Sequence, residues 1–314
     1  LIDYYDLLGL SPGNEKHRAY SQEVASEPAP SDAGWTELDQ AGYDNLDQSD
    51  DMRCSVTTTT NGNYALMLFR FKCGFAEADV KKIKLLFEGY GTAPDGDGVT
   101  IKVWNHVGNA WEHAETGTGS ADEELSIVLT ENLANYIDDD GYIWLLARTT
   151  NADDGSTNAV LYCDYVYCFV TKAKFTVDHK PISDRDMDGV ADEPAHVTVK
   201  VNGTEVAVSS VDDDTGLITL ASGDFNEGDV ITCSYRYDSS PFIAQELTVE
   251  PKQRIEGLDG LGSDTIQEWA VLLKEIDGSI KEAFKPGSET QLRRLRLKIG
   301  DGINKAASAN GGII

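Results

Sequence analysis

The residues best suited to chemistry lie between positions 184 and 193, where the chain reads DRDMDGVADE. Asp184, Asp186 and Asp188 alternate, Gly189 follows, and Asp192 and Glu193 complete the run. Alternating carboxylates ahead of a glycine suit one calcium ion, because the glycine permits the sharp turn that brings hard oxygen ligands together. Val190 is spaced to offer its backbone carbonyl. Position 12 of the run is Ala195 rather than the bidentate Glu of an EF-hand, and no flanking helix is expected. The expected ligands are therefore Asp184, Asp186, Asp188, Val190, Asp192 and Glu193, holding a structural calcium at a joint between β units. Without a cation, carboxylates so close in sequence repel one another. A solvated acidic linker is the alternative reading. Asp138–Asp140 and Asp212–Asp214 precede glycines and read as solvated turns, and Asp95 and Asp97 offer a weaker loop site.

Catalytic signals are sparse. The five histidines lie outside any H-E-x-x-H arrangement, and the chain has no G-x-S-x-G, phosphate loop or dinucleotide fingerprint. His106 and His113 flank one predicted hairpin and could meet across it. The five cysteines contain no C-x-x-C pair. Cys163 and Cys168 sit five apart on a predicted strand, which places them on opposite faces and keeps them from bridging. The chain reads as a non-enzyme.

The elements that carry these residues are mostly strands. The chain has 314 residues, with 54 acidic against 26 basic ones and a net charge of −28. Such acidity argues against a nonspecific grip on nucleic acid. A hydrophobic content of 40% supports packed cores. No apolar run reaches 18 residues, so no membrane span is expected. Residues 1–31 read as an N-terminal arm and linker, with an apolar LIDYYDLLGL and a later EPAPSDAG. Residues 32–173 carry eight β-branched and aromatic runs and read as a jelly-roll β-sandwich. Trp144 is expected in its core, while Trp104 and Trp111 flank a hairpin and suit either core packing or sugar stacking. Residues 174–241 read as a small immunoglobulin-like or barrel-like unit with a hairpin at Asn202–Gly203.

Residues 242–314 read as strand, helix, strand. Asp264 is placed to cap a helix over 265–276, whose face would hold Ile266, Trp269, Ala270, Leu273 and Ile276. Residues 285–314 hold six basic residues against two acidic ones, among them Arg293, Arg294 and Arg296. A basic end on an acidic body suits head-to-tail contacts between identical subunits. The fold class is thus mainly β: a jelly-roll sandwich, a small β unit and a barrel-like C-terminal segment with one helix.

Several segments resemble known families. KKIKLLFEGYG…VTIKVWN…NAWEH…ELSIVLT…GYIWLLART…LYCDYVYCFV looks like a β-sandwich module of archaeal and bacterial surface and S-layer-associated proteins. The acidic run is similar to the D-x-D-x-D-G calcium loops of extracellular repeat proteins, and 199–238 resembles small modules of tailed-virus structural proteins. ELTVEPKQRIEGLDGLGSDTIQEWAVLLKEIDGSIKEAF resembles the tail tube proteins of archaeal and bacterial tailed viruses. That resemblance implies a virion structural protein whose rings stack into a tube. The partners would be identical subunits and other virion proteins, with DNA only in transit. The helix face and the three arginines would form the assembly interface, and the sandwich would project outward. The chain departs from that family in its length and in its large N-terminal sandwich. The alternative is a cell-surface or S-layer-associated protein that binds a glycan or a protein. A secreted glycoside hydrolase, which needs two facing carboxylates, is a further alternative.

The acidic loop yields a direct test. If it holds calcium, chelation lowers the Tm of the full chain, and Asp186→Ala removes the difference; identical melting curves with and without chelator contradict the assignment.

Overall fold

Period-two alternation of apolar and polar side chains makes this chain a strand-former almost throughout. The computed structural model describes residues 1–183 and 193–237, and the backbone of strands at 247–254, 267–274 and 280–284. The first part contains β1 (Ile2–Tyr5), β2 (Arg18–Val24), β3 (Thr36–Glu37), a short helix α1 (Gln40–Asp44), β4 (Cys54–Thr57), β5 (Tyr64–Lys72) and β6 (Val80–Thr92). It continues with β7 (Val99–Asn105), β8 (Ala110–Thr116), β9 (Glu123–Leu129), β10 (Tyr142–Thr149) and β11 (Val160–Lys172). Then come β12 (Lys174–Thr176), β13 (Val197–Val201), β14 (Thr204–Val206), β15 (Val208–Asp212), β16 (Leu217–Leu220) and β17 (Ile231–Tyr235).

Eight of these strands pair in nested order. β7 pairs with β8, β6 with β9, β5 with β10 and β4 with β11, all antiparallel. The nest divides between two sheets, β4-β11-β6-β9 and β5-β10-β7-β8, and the chain steps from one to the other as it folds. This is the strand order of a jelly roll. Phe69, Phe71, Met67 and Leu145 from one sheet meet Phe87, Leu85, Ile83 and Leu161 from the other in one buried core. Phe69 and Phe87 lie 6.3 Å apart between ring centres.

The opening segment is part of this sandwich rather than a separate arm. β1 pairs with β11 and β2 with β5, and Leu7 and Ala19 are fully buried in the core. Short polar strands such as RAYSQEV carry little hydrophobic signal; their pairing partners make them strands.

The two cysteines expected on opposite faces of β11 both point into the core. A bulge between Cys163 and Tyr165 adds one residue and restores the phase. Gly89 lies opposite Cys163 with φ +156, and a Cβ there would stand 2.2 Å from the Tyr162 carbonyl oxygen. The bulge therefore depends on a glycine at that position.

The second β unit stacks sheet β12-β16-β15 on sheet β14-β13-β17, around Val199, Ile218, Val211 and Phe225. Asn202 and Gly203 turn its hairpin with φ of 50 and 81, the left-handed pair that a tight hairpin needs. The unit is bolted to the sandwich. Lys82 on β6 is buried and donates to Asp224 Oδ1 at 2.8 Å, the Phe225 carbonyl at 3.1 Å and Asn226 Oδ1 at 3.2 Å. Residues 1–236 accordingly form one compact unit, and 237–314 form another.

In the second compact unit, β18 (Leu247–Arg254), β19 (Gln267–Lys274) and β20 (Ile280–Phe284) form one antiparallel sheet in that order. The helix expected over 265–276 is therefore a strand where it is described. QEWAVLLK fits both periods, since Trp269, Val271 and Leu273 also alternate. A ladder on each side, Val249↔Val271 and Val271↔Phe284, decides for the strand. No closed barrel occurs among the described residues. None of their helices is long and apolar enough to cross a membrane.

Removing the aromatic ring where the sheets meet should destabilise without changing the fold. Phe69→Ala is expected to lower unfolding free energy by about 3–5 kcal/mol, read from urea denaturation. A loss under about 1 kcal/mol would contradict the core assignment.

Candidate functional site

The outer face of the six-stranded sheet carries a dense group of aromatic and cationic side chains. Ile143, Leu145 and Ala147 on β10 point inward, so Trp144, Leu146 and Arg148 point outward. By the same alternation Lys102 and Trp104 on β7 and Arg70 and Lys72 on β5 face outward. Trp144 is thus half-buried on the outer face instead of in the core, because its neighbours take the inward positions.

Strand register lines these residues up. Arg18 pairs with Arg70, Arg70 with Trp144, and Trp104 with Trp111. The pairs Leu145↔Val103 and Leu146↔Lys102 set Trp144 level with Trp104. Three tryptophans therefore cross three adjacent strands in one row, about 10 Å long at normal strand spacing. Trp104 and Trp111 meet edge to face with ring centres 5.0 Å apart. Trp144 Nε1 donates to Asp138 Oδ2 at 3.0 Å, and Trp111 Nε1 donates to the Pro28 carbonyl at 2.9 Å. Trp144 and Trp111 are thus fixed at their nitrogens, and all three indoles are half-buried, which leaves ring surface for a ligand.

The segment between β2 and β3 straps this face. Glu27 lies between Lys102 Nζ at 2.7 Å and Arg148 Nε at 2.6 Å. Burial alone would raise the Glu27 pKa, but the hydrogen bonds from Lys102 and Arg148 outweigh it and hold the carboxyl below its ordinary value. Trp35 Nε1 closes the strap on the Ala29 carbonyl at 3.0 Å. Arg148 also lies over the Tyr64 ring, 4.4 Å from its centre. At the other end of the row, Arg70 covers Tyr142 at 4.3 Å and Trp144 at 5.9 Å, while Lys72 stands 4.8 Å from the Tyr142 ring centre. Arg70 donates to the Asn14 and Glu15 carbonyls and Lys72 to that of Asp140. Among the described ion pairs neither cation faces a carboxylate.

A second polar group sits beside the β7–β8 hairpin. Glu112 Oε2 accepts from Asn105 Nδ2 at 3.0 Å and from the Tyr136 hydroxyl at 2.8 Å. These hydrogen bonds, that of Asn105 first, hold the Glu112 pKa low, while burial followed by Glu112 pushes Tyr136 up to about 12. His113 Nε2 meets the Tyr136 hydroxyl at 2.7 Å, and His106 Nε2 meets the Ala134 carbonyl at 2.8 Å. The two histidines thus serve different partners. His113 has φ 53, at a bulge in β8 that swings its ring toward Tyr136. Asp164 differs from the other carboxylates: burial pushes its pKa up, and it is 1% exposed.

Of the residues expected to bind calcium, Asp184, Asp186, Asp188, Val190 and Asp192 lie outside the described residues. Glu193 is half-buried and precedes a 3-10 turn at Pro194–His196. No group of three or more His, Cys, Asp or Glu that could hold a metal ion occurs among the described residues. Of the expected assembly interface, Trp269, Ala270 and Leu273 lie on β19. Ile266, Ile276, Arg293, Arg294 and Arg296 lie outside the described residues.

Residues 14–172, from just before β2 to the end of β11, match the model of the AF_1625_C family, described as "Uncharacterized protein, C-terminal domain". The chain belongs to that family. The match takes in the whole eight-stranded nest and the tryptophan row. No curated protein matches the chain. Among solved structures, the enzymatically active domain of tailspike protein 4 of bacteriophage CBA120 is similar at 9% identity and a TM-score of 0.23, over 49% of this chain and 19% of that one. A protein described as a β-galactosidase from Bacteroides fragilis is similar at 12% identity and a TM-score of 0.27, over 91% and 40%. A β-glucuronidase of glycoside hydrolase family 2 is similar at 10% identity and a TM-score of 0.25, over 87% and 30%. The chain thus spans less than half the length of each, and likeness at these scores carries no argument about function.

The strap gives a pH-dependent prediction. The folded-state pKa of Glu27 lies below its unfolded value, so its stabilisation is present above about pH 4.3 and fades as pH falls further. Glu27→Gln should lower the Tm by a few degrees at pH 7, and the gap to the unsubstituted chain should shrink below pH 4. A gap that is constant with pH would show that the carboxylate charge is not what holds the strap.

Proposed function

We propose that this chain is a non-catalytic binding module of an exterior surface, whose jelly roll holds a glycan chain along the tryptophan row. The observation that carries the reading is the alignment of Trp144, Trp104 and Trp111 on one outer face. Flat apolar faces of sugar rings stack on indoles, and a row spanning three strands suits successive sugar residues of a chain better than a single small ligand. Arg70 and Lys72, without a carboxylate partner among the described ion pairs, favour an acidic sugar at that end. Two carboxylates near the row support a non-catalytic reading. Glu27 and Glu112 are both held in the ionised form, whereas a glycosidase needs one carboxyl kept protonated. Asp164 has a raised pKa but is almost fully buried.

The tail-tube reading rests on the resemblance of the C-terminal segment, in which Gln267–Lys274 forms a strand where that family would place a helix. An exterior, assembled setting remains compatible with the sandwich, and the binding reading is favoured because it rests on described side chains.

A binding assay on immobilised polysaccharides tests the proposal. The full chain should bind uronic-acid polymers more tightly than neutral glucans. Trp104→Ala should weaken binding roughly tenfold, the equivalent of about 1.4 kcal/mol. Binding untouched by both Trp104→Ala and Trp144→Ala, or no binding to any polymer, would overturn it.

A further inference from the structure

All five cysteines are free thiols in this structure, and four of them are buried. Two stand directly opposite each other: in the β4–β11 ladder the register is Cys163↔Cys54. Both side chains point into the same core. Opposed residues of an antiparallel pair have Cα atoms about 4.5–5.5 Å apart, inside the span of about 4.4–6.8 Å that a disulfide bridges. The other cysteines lack this relation. Cys168 pairs with Tyr5 on one side and Leu85 on the other, Cys73 follows β5 in the opposite sheet, and Cys233 lies in the second β unit.

We propose that Cys54 and Cys163 form a cross-strand disulfide when the chain folds in an oxidising setting. The position explains why a bond here matters. β4 and β11 are the outermost pair of the jelly-roll nest, so their ladder closes the longest stretch of chain among the four nested pairs. Closing a long loop is where a covalent link removes the most conformational freedom from the unfolded chain. Burial also sets the timing. It pushes the Cys54 thiol up to about 11 and holds the Cys163 thiol well above its ordinary value, so neither forms a thiolate readily once folded. The bond therefore forms during folding, before the core closes. A small-molecule disulfide such as oxidised glutathione is the oxidant. One cysteine thiolate attacks it, forming a mixed disulfide and releasing one glutathione thiol. The second cysteine thiolate attacks the mixed disulfide and releases the other. The two cysteines lose two protons and two electrons, and the oxidant is reduced to two thiols.

The test uses the full chain, reduced and denatured, then refolded in a mixture of reduced and oxidised glutathione. Remaining thiols are alkylated under denaturing conditions. The expected result is two fewer alkyl groups than in the reductant control, a peptide joining Cys54 to Cys163, and a Tm about 10 °C or more above that control. Added reductant should open the bond only together with denaturant. Cys54→Ser/Cys163→Ser should abolish the Tm difference, and Cys73→Ser/Cys168→Ser should keep it. Full alkylation of Cys54 and Cys163 in the most oxidising mixture, or linkage of either to another cysteine, would overturn the proposal. The peptide map of the unsubstituted chain decides this even if a variant folds poorly.

Discussion

The structure of the first 236 residues depends on β11. It pairs with β6 along one edge and with β1 and β4 along the other, so it is hydrogen-bonded on both sides for most of its thirteen residues. Strands in that position need apolar side chains on nearly every residue, which is how LYCDYVYCFV reads. The single acidic residue in that run, Asp164, falls at the bulge, where one side chain leaves the alternation. From Lys172 the chain passes almost directly into β12 of the second unit. Thr171 at the end of β11 donates to the Gly223 carbonyl of that unit. The same strand thus anchors the sandwich core, sets the nest and joins the two β units.

Much of the sandwich was legible in the sequence, because its strands alternate or run apolar and are bounded by Gly, Asp and Asn. The nest from Cys54 to Lys172 follows from those runs and from the preference of consecutive antiparallel strands for sandwich packing. The parts that were not legible share one cause: their pattern fits two states and a distant partner selects one. Ile2–Tyr5 and Arg18–Val24 are strands because β11 and β5 offer them free edges. Gln267–Lys274 fits helix and strand periods alike, and ladders on both sides settle it. The inward turn of Cys163 needed a bulge, whose only sequence signal was Gly89, 74 positions earlier on the facing strand.

The candidate site shows the same division. Trp104 and Trp111 could be paired from their places beside one hairpin. Trp144 could not be added to them, since its apolar neighbours in IWLLA suggest a core position. Only the register of β10 against β7 and β5 reveals that Arg70, Trp144 and Trp104 are level. Glu27 was read as part of a linker, and it becomes a clamp because two cations from non-adjacent sequence meet it. The net charge of −28 also takes on a pattern: in an acidic chain, the outer face of one sheet gathers Arg18, Arg70, Lys72, Lys102 and Arg148. Lys102 and Arg148 share the strap's one carboxylate, Glu27, which offsets half of their combined charge. Arg70 and Lys72 keep their charge available beside the tryptophans.

The account's central claim is that this row of indoles is a binding surface, and the indole N–H signals in a nitrogen-15 correlation spectrum test it most directly. The chain has five tryptophans, so the signals are few enough to assign by single substitutions. On titration with an oligogalacturonate, the account predicts that the signals of Trp104, Trp111 and Trp144 shift together along one saturable curve while that of Trp269 stays in place. Saturable shifts confined to Trp269, or no indole shift at any oligosaccharide concentration, would contradict it.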